Sequence, residues 1–76
     1  MAEFKIKLTE TNQVKEFVNA AERCEYDINV FYNRFIIDAK SILGVLSLGL
    51  NRELTVQCIG EADAQFTDAI SKFAVA

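Results

Sequence analysis

Asp27-Ile28-Asn29-Val30-Phe31-Tyr32-Asn33-Arg34-Phe35-Ile36-Ile37-Asp38-Ala39 holds two alternating runs on either side of a polar pair. Ile28, Val30 and Tyr32 alternate with Asn29 and Phe31. After Asn33-Arg34, the residues Phe35, Ile37 and Ala39 alternate with Ile36 and Asp38. Period-two alternation marks a strand with one face buried, and two such runs separated by a two-residue turn read as a hairpin. The turn asks for positive φ at both central residues, which asparagine tolerates well and arginine only at some cost.

Downstream of the hairpin comes Lys40-Ser41-Ile42-Leu43-Gly44-Val45-Leu46-Ser47-Leu48-Gly49-Leu50. Ser41 is a good N-cap, Ile42, Leu43, Val45 and Leu46 supply apolar surface, and Gly49 suits the left-handed position that ends a helix of about two turns. Leu54, Val56 and Cys58 then alternate with Thr55, Gln57 and Ile59 as a strand that Gly60 breaks. From Glu61, the residues Ala62, Phe66, Ala69, Ile70 and Phe73 repeat at helical spacing to the C-terminus.

Upstream, Glu3-Phe4-Lys5-Ile6-Lys7-Leu8 alternates at every position and gives a first strand. Thr9 to Thr11 offer capping hydroxyls to a helix whose apolar stripe is Val14, Phe17, Val18 and Ala21 and which ends near Cys24. The order is βαββαβα. Four strands with one apolar face need helices to cover it, so the expected fold is α+β, an open-faced two-layer sandwich of a four-stranded antiparallel sheet with three helices on one face. Its core should hold Phe4, Ile6, Leu8, Val14, Phe17, Val18, Ile28, Val30, Ile37, Val45, Leu48, Leu54, Val56, Phe66, Ile70 and Phe73.

Composition bounds what this fold can do. With 76 residues, residues 1–76 make a single small domain near the size at which one core only just offsets chain entropy. Half the residues are apolar (51%) and a quarter charged (25%), with no proline, the balance of a chain that packs. The net charge is −3 and the basic residues are scattered, so there is no stripe to neutralise phosphates and no nucleic acid is expected as a partner. No run approaches the roughly 18 apolar residues of a membrane span, and no leader pattern opens the chain, which predicts no membrane partner and a cytoplasmic protein. Cys24 and Cys58 lack metal-ligand spacing and the chain has no histidine, so no metal site and no cofactor are expected and both thiols read as buried. No nucleophile has a base beside it, so the chain is not expected to be an enzyme, and no residue is assigned as catalytic.

The span from Asp27 to Leu50 resembles the HPr family, the histidine-containing phosphocarriers of the phosphotransferase system. Asp-Ile-Asn opens the second strand, a tight turn falls at Asn33-Arg34, and Lys-Ser-Ile-Leu-Gly-Val-Leu-Ser-Leu-Gly follows. Ala20-Ala21 and Glu61-Ala62-Asp63-Ala64 extend the similarity more weakly. The resemblance implies a protein related to the bacterial phosphoenolpyruvate-dependent sugar phosphotransferase system, with this element order and helices on one face.

The departure lies at the start of the first helix. Family members carry Gly-Ile/Leu-His-Ala-Arg-Pro there, whereas this chain passes through Leu8-Thr9-Glu10-Thr11-Asn12-Gln13 into Val14, and is several residues shorter. Histidine suits phosphoryl transfer because a neutral imidazole nitrogen is nucleophilic near neutral pH. Neither Glu10 nor Asn12 offers that, so the chain is predicted unable to carry phosphate on histidine. The alternatives are a carrier with a non-histidine acceptor, Glu10 or another, and a homo-oligomerising domain of unrelated role.

Ser41 matches the position that an ATP-dependent kinase phosphorylates in many Gram-positive relatives, and the matching residues run from Lys40 to Gly44. Serine there caps the helix whether or not a kinase reaches it. Ile42, Leu43 and Leu46 match the apolar positions through which the family docks on enzyme I and regulatory proteins. The implied role is a regulatory or protein-interaction module acting through the Ser41 to Leu48 helix. Enzyme I, an HPr kinase or a transcriptional regulator are its candidate partners. A second candidate interface is the open sheet face, where Phe31 and Ile36 stand opposite each other and Ile59 joins them from another strand. That face could pair two copies as a homodimer or meet another protein, or Phe31 and Ile36 could simply stabilise each other across strands.

Overall fold

The computed structural model describes residues 2–60 and 63–75. Its elements are β1 (Ala2–Leu8), α1 (Thr11–Glu22), β2 (Asp27–Tyr32), β3 (Phe35–Asp38), α2 (Ile42–Ser47), β4 (Arg52–Ile59) and α3 (Ala64–Ile70), followed by a single 3-10 turn at Ser71–Phe73. The strands form one sheet in the order β1-β4-β2-β3, every neighbouring pair antiparallel. This is the α+β sandwich that the alternation and helical spacing require. The expected helical start at Glu61 and Ala62 lies outside the described residues.

The hairpin has the expected register, with Tyr32 opposite Phe35, Phe31 opposite Ile36 and Val30 opposite Ile37. Its turn differs in one respect. Among the described residues the non-glycine positions with positive φ are Asn33 (φ 53°) and Asn51 (φ 61°), so Arg34 escapes the strain expected of it. A two-residue turn with only its first central residue left-handed has that property.

One core lies between sheet and helices. Ile6, Leu8, Ile28, Val30, Leu54, Val56 and Cys58 rise from the strands to meet Val14, Phe17, Val18 and Ala21 of α1, Val45 of α2 and Phe66 and Ile70 of α3. The rings of Phe17 and Phe66 sit at the centre, 6.4 Å apart and tilted by 52°. Phe4 and Ile37, expected in the core, are only half-buried. They belong to β1 and β3, the two outer strands, each with a full strand neighbour on one side only. Ala20 and Ala39, absent from the expected core, are buried as well, and Cys24 and Cys58 are buried as expected.

Both ends of the helical layer depart from expectation. The N-cap of α1 is Glu10, whose side chain makes no capping bond. Gln13 instead reaches back, its Oε1 accepting from the Thr9 N–H at 2.7 Å, so Thr9 and Thr11 do not cap through their hydroxyls. At the other end the chain does not stay helical to its terminus. After Phe73 it extends, pairs Ala74 with Ile6 as an isolated bridge, and donates the Val75 N–H to the Lys5 carbonyl at 2.9 Å along the outer edge of β1.

The sheet face away from the helices is mostly polar. Lys5 on β1 faces Glu53 on β4 at 3.6 Å, and Gln57 donates to Glu3 at 3.2 Å. Among the described residues, no helix is long and apolar enough to cross a membrane.

Candidate functional site

The segment from Asp38 to Asn51 is built by local bonds. The Ser41 N–H donates to the Asp38 carbonyl at 3.0 Å and the Lys40 N–H to Asp38 Oδ1 at 2.9 Å, which turns the chain sharply off β3. Lys40 Nζ then donates to the Cys24 carbonyl at 2.8 Å and ties the turn to the end of α1. Ser41 takes up extended dihedrals and its Oγ accepts from the Gly44 N–H at 3.2 Å, so it is the N-cap of α2. The helix closes at Gly49, whose φ of 86° needs a residue without Cβ and whose N–H donates to the Leu46 carbonyl at 3.1 Å.

Gly44 sets how close α2 lies to the sheet. A Cβ there would stand 2.7 Å from Ile37 Cγ2 and 3.1 Å from Ser41 Oγ. With the helix seated that low, Val45 and Leu48 are buried and Leu46 is half-buried against the core. Leu43 is left 78% exposed and Ile42 37% exposed. Of the three apolar positions suggested as a docking patch, Leu43 and Ile42 are thus on the surface and Leu46 serves mainly the core. Leu50, which the sequence reading left out, is 37% exposed just beyond the helix.

The C-terminal end of α2 borders the start of α1. The Asn51 N–H donates to the Leu8 carbonyl at 2.8 Å, so the loop Gly49–Asn51 lies against the segment leading from β1 into α1. That segment is Thr9-Glu10-Thr11-Asn12, exposed throughout and without a histidine. On the other side of α2, Arg52 donates to the Tyr32 hydroxyl and stacks its guanidinium 4.9 Å from that ring's centre. Tyr32, Phe35, Ile37, Ser47, Leu48 and Arg52 line an open groove of about 410 Å³ beside the helix. The alternation puts Phe35 on the face of Ile37 and Ala39, yet it is 60% exposed at the groove, which one strand's alternation does not show.

The remaining candidates are scattered. Phe31 and Ile36 are direct cross-strand neighbours. Ile59 shares their face but sits four residues along β4 from Thr55, the residue opposite Phe31, which is about 13 Å of strand. The three therefore do not form one patch. Cys24 and Cys58 are buried thiols, and burial pushes the Cys58 thiol up, favouring its neutral form. Tyr26, whose hydroxyl accepts from the Asp63 N–H, has its phenol pushed up to about 12 by burial and then by the neighbouring Cys24. Among the described residues no cluster of acidic or cysteine side chains could hold a metal.

Comparison with known proteins adds a family to this geometry. Residues 9–75 match the family model PTS-HPr, described as the PTS HPr component phosphorylation site. The chain belongs to the HPr family. The HPr fold extends over nearly the whole chain in solved structures that are similar to it. Against HPr-C-His from Thermoanaerobacter tengcongensis the TM-score is 0.77 at 23% identity, covering 95% of this chain and 89% of the other. Against the histidine-containing phosphocarrier protein of Mycoplasma it is 0.74 at 22% identity, with 93% and 89% covered. Against the phosphocarrier protein HPr of Bacillus anthracis str. Ames it is 0.74 at 20% identity, with 97% and 96% covered. At these identities the likeness is one of fold. The HPr family match is the finding that ties the chain to the phosphotransferase system.

Proposed function

We propose that this chain is an HPr-family interaction module that docks on partner proteins through α2 and does not carry phosphate on histidine. The reading rests first on the sequence, which has no histidine at any position. The segment opening α1, where the family places its acceptor, holds threonine, glutamate and asparagine instead. Alcohols and amides are poor nucleophiles at neutral pH without a base beside them. With no histidine acceptor and no nucleophile paired to a base, the module acts by binding and is not an enzyme.

The docking surface in this reading is Ile42 and Leu43, held outward on a helix whose other face is locked into the core. Exposed leucine costs solubility without adding to the core, and adjacent exposed apolar residues on one short helix suit a partner's apolar surface. Ser41 supplies the switch. Its Oγ already lies at the N-terminus of α2, where a phosphoryl group taken from ATP would meet the free backbone N–H groups and the positive end of the helix. The added negative charge would sit beside Ile42 and Leu43 and change which partners the surface accepts.

Intact mass after incubation with an HPr-type kinase and ATP, repeated on Ser41→Ala, tests the switch. One phosphate added to the wild type and none to the variant is the expected result. A parallel reaction with enzyme I and phosphoenolpyruvate tests the carrier reading. Transfer in that reaction would restore a phosphocarrier with a non-histidine acceptor, Glu10 first among the candidates, and would refute the proposal.

A further inference from the structure

β3 is an outer strand with an unoccupied side, and its hydrogen-bond phase shows which groups face outward. The Ala39 N–H donates to the Ile28 carbonyl at 2.9 Å, so the pair Ile28–Ala39 is a bonded one. Bonded and non-bonded pairs alternate in an antiparallel ladder, so Ile37 and Phe35 also spend their backbone groups on β2. Ile36 and Asp38 therefore turn theirs away from the sheet. The Asp38 carbonyl is already engaged by Ser41, which leaves the Ile36 N–H and C=O and the Asp38 N–H as unpaired strand groups.

The side chains of this edge are self-complementary. If Ile36 lies opposite Ile36 of a second copy in antiparallel register, Arg34 falls opposite Asp38 at both ends. Phe35 falls opposite Ile37 on the helical side. The ion pairs among the described residues, Lys5 with Glu53 and Lys72 with Glu16, involve neither Arg34 nor Asp38, and both side chains are exposed. Phe35 and Ile36 are 60% and 64% exposed, a large apolar content for an edge of four residues. Phe31 backs Ile36 on the open face, so pairing would create a stripe Phe31–Ile36–Ile36–Phe31 across the join.

We propose that β3 pairs antiparallel with β3 of a second copy of this chain, extending the sheet to eight strands across a two-fold axis at Ile36. Edge pairing is favoured over stacking of the open faces because those faces carry Glu3, Lys5, Lys7 and Glu53, which stacking would strip of water. The contact is short, below the roughly 1,200 Å² of a standard interface, so the dimer is weak and exchanges rapidly. Because the same patch serves both copies, the assembly closes at two.

Sedimentation equilibrium up to about 1 mM protein reads the association, with a dissociation constant in the high-micromolar range expected. Arg34→Asp and Asp38→Arg each set like charges opposite each other at both ends of the register and should each weaken the dimer about tenfold. An equimolar mixture of the two variants, and the double variant Arg34→Asp/Asp38→Arg, should regain the wild-type constant. Arg34 is exposed, so Arg34→Asp should keep the wild-type far-UV circular dichroism, whereas Asp38→Arg also gives up the Lys40 N–H bond to Asp38 Oδ1 and is compared once circular dichroism shows that its fold is retained. A wild type that stays monomeric overturns the proposal and leaves the edge to a strand from another protein. A dimer indifferent to the charge reversals, or one that the mixture fails to restore, also overturns it and places the contact elsewhere.

Discussion

Gly44→Ala removes a residue that costs helices about 1 kcal/mol relative to alanine, so on an exposed helix the substitution would stabilise. Here the new methyl meets Ile37 Cγ2 at 2.7 Å, about 0.7 Å inside the 3.4 Å at which ordinary contact begins, and Ser41 Oγ at 3.1 Å. Ile37 is β-branched, so its Cγ2 cannot swing away without changing χ1, and it stands on a strand bonded to β2. Moving α2 outward instead would loosen Val45, which is buried at 1% exposure. Overpacking of this kind costs about 1–3 kcal/mol, and set against the propensity gain it leaves a net loss of about 1 kcal/mol. For a domain of this size that is a fall in Tm of roughly 4–8 °C. Thermal unfolding followed by circular dichroism measures it. The companion variant Ile37→Leu, which has no methyl on Cβ branching, should recover part of the loss when combined with Gly44→Ala, giving a favourable coupling of at least about 0.5 kcal/mol. A rise in Tm for Gly44→Ala alone, or strict additivity in the double variant, would refute the claim that Gly44 fixes the seat of the helix.

Other outcomes follow from the same structure. Ser41→Ala should lose about 1 kcal/mol, seen as a lower urea midpoint with unchanged slope, because the Gly44 N–H loses its cap. Leu43→Glu should leave stability within about 0.5 kcal/mol, since the side chain is 78% exposed, while abolishing capture of whatever protein binds α2 in a pull-down. Tyr26→Phe should be less stable than the wild type at neutral pH through loss of the bond from the Asp63 N–H. A phenol held at about 12 in the fold and near 10 in the unfolded chain stabilises the native state below about pH 10, and that stabilisation drains away as pH rises from 10 to 12. The gap between wild type and Tyr26→Phe in urea titrations should therefore narrow over that window; a gap that widens would contradict the burial of the phenol.

The fold was legible because its decisive signals are local. Alternation from Ile28 to Ala39 and the Asn33-Arg34 break determine a hairpin whatever the rest of the chain does, and Ser41 and Gly49 bracket α2 with residues whose capping roles are physical necessities. The misses share one cause: groups that several neighbours could satisfy equally well. Thr9, Thr11 and Gln13 could each serve the first turn of α1, and which one did depended on Gln13 reaching the Thr9 N–H. Phe66, Ala69, Ile70 and Phe73 keep the spacing of a continuous helix, and nothing in those residues announces that Ser71 tightens the turn and sends Ala74 to the sheet. At the site, Ser41 followed from capping chemistry, whereas helix spacing alone did not decide between Leu43 and Leu46 as the outward residue, and the structure puts Leu43 outside. The groove beside Arg52 did not, because it depends on the guanidinium crossing from β4 to Tyr32 on β2.

The C-terminal tail gives the sheet a polarity. Ala74 and Val75 lie against the outer side of β1 at Ile6 and Lys5, so the middle of that flank is covered by the chain itself while the flank at β3 is open. A body with one open flank can meet only one neighbour through it and growth stops there, whereas a body with two open flanks can be added to at both ends without limit. Ala74 and Val75 thus stand between a chain that pairs and one that polymerises. Deleting Ala74 and Val75 should convert weak, saturable association into concentration-driven growth of fibrils.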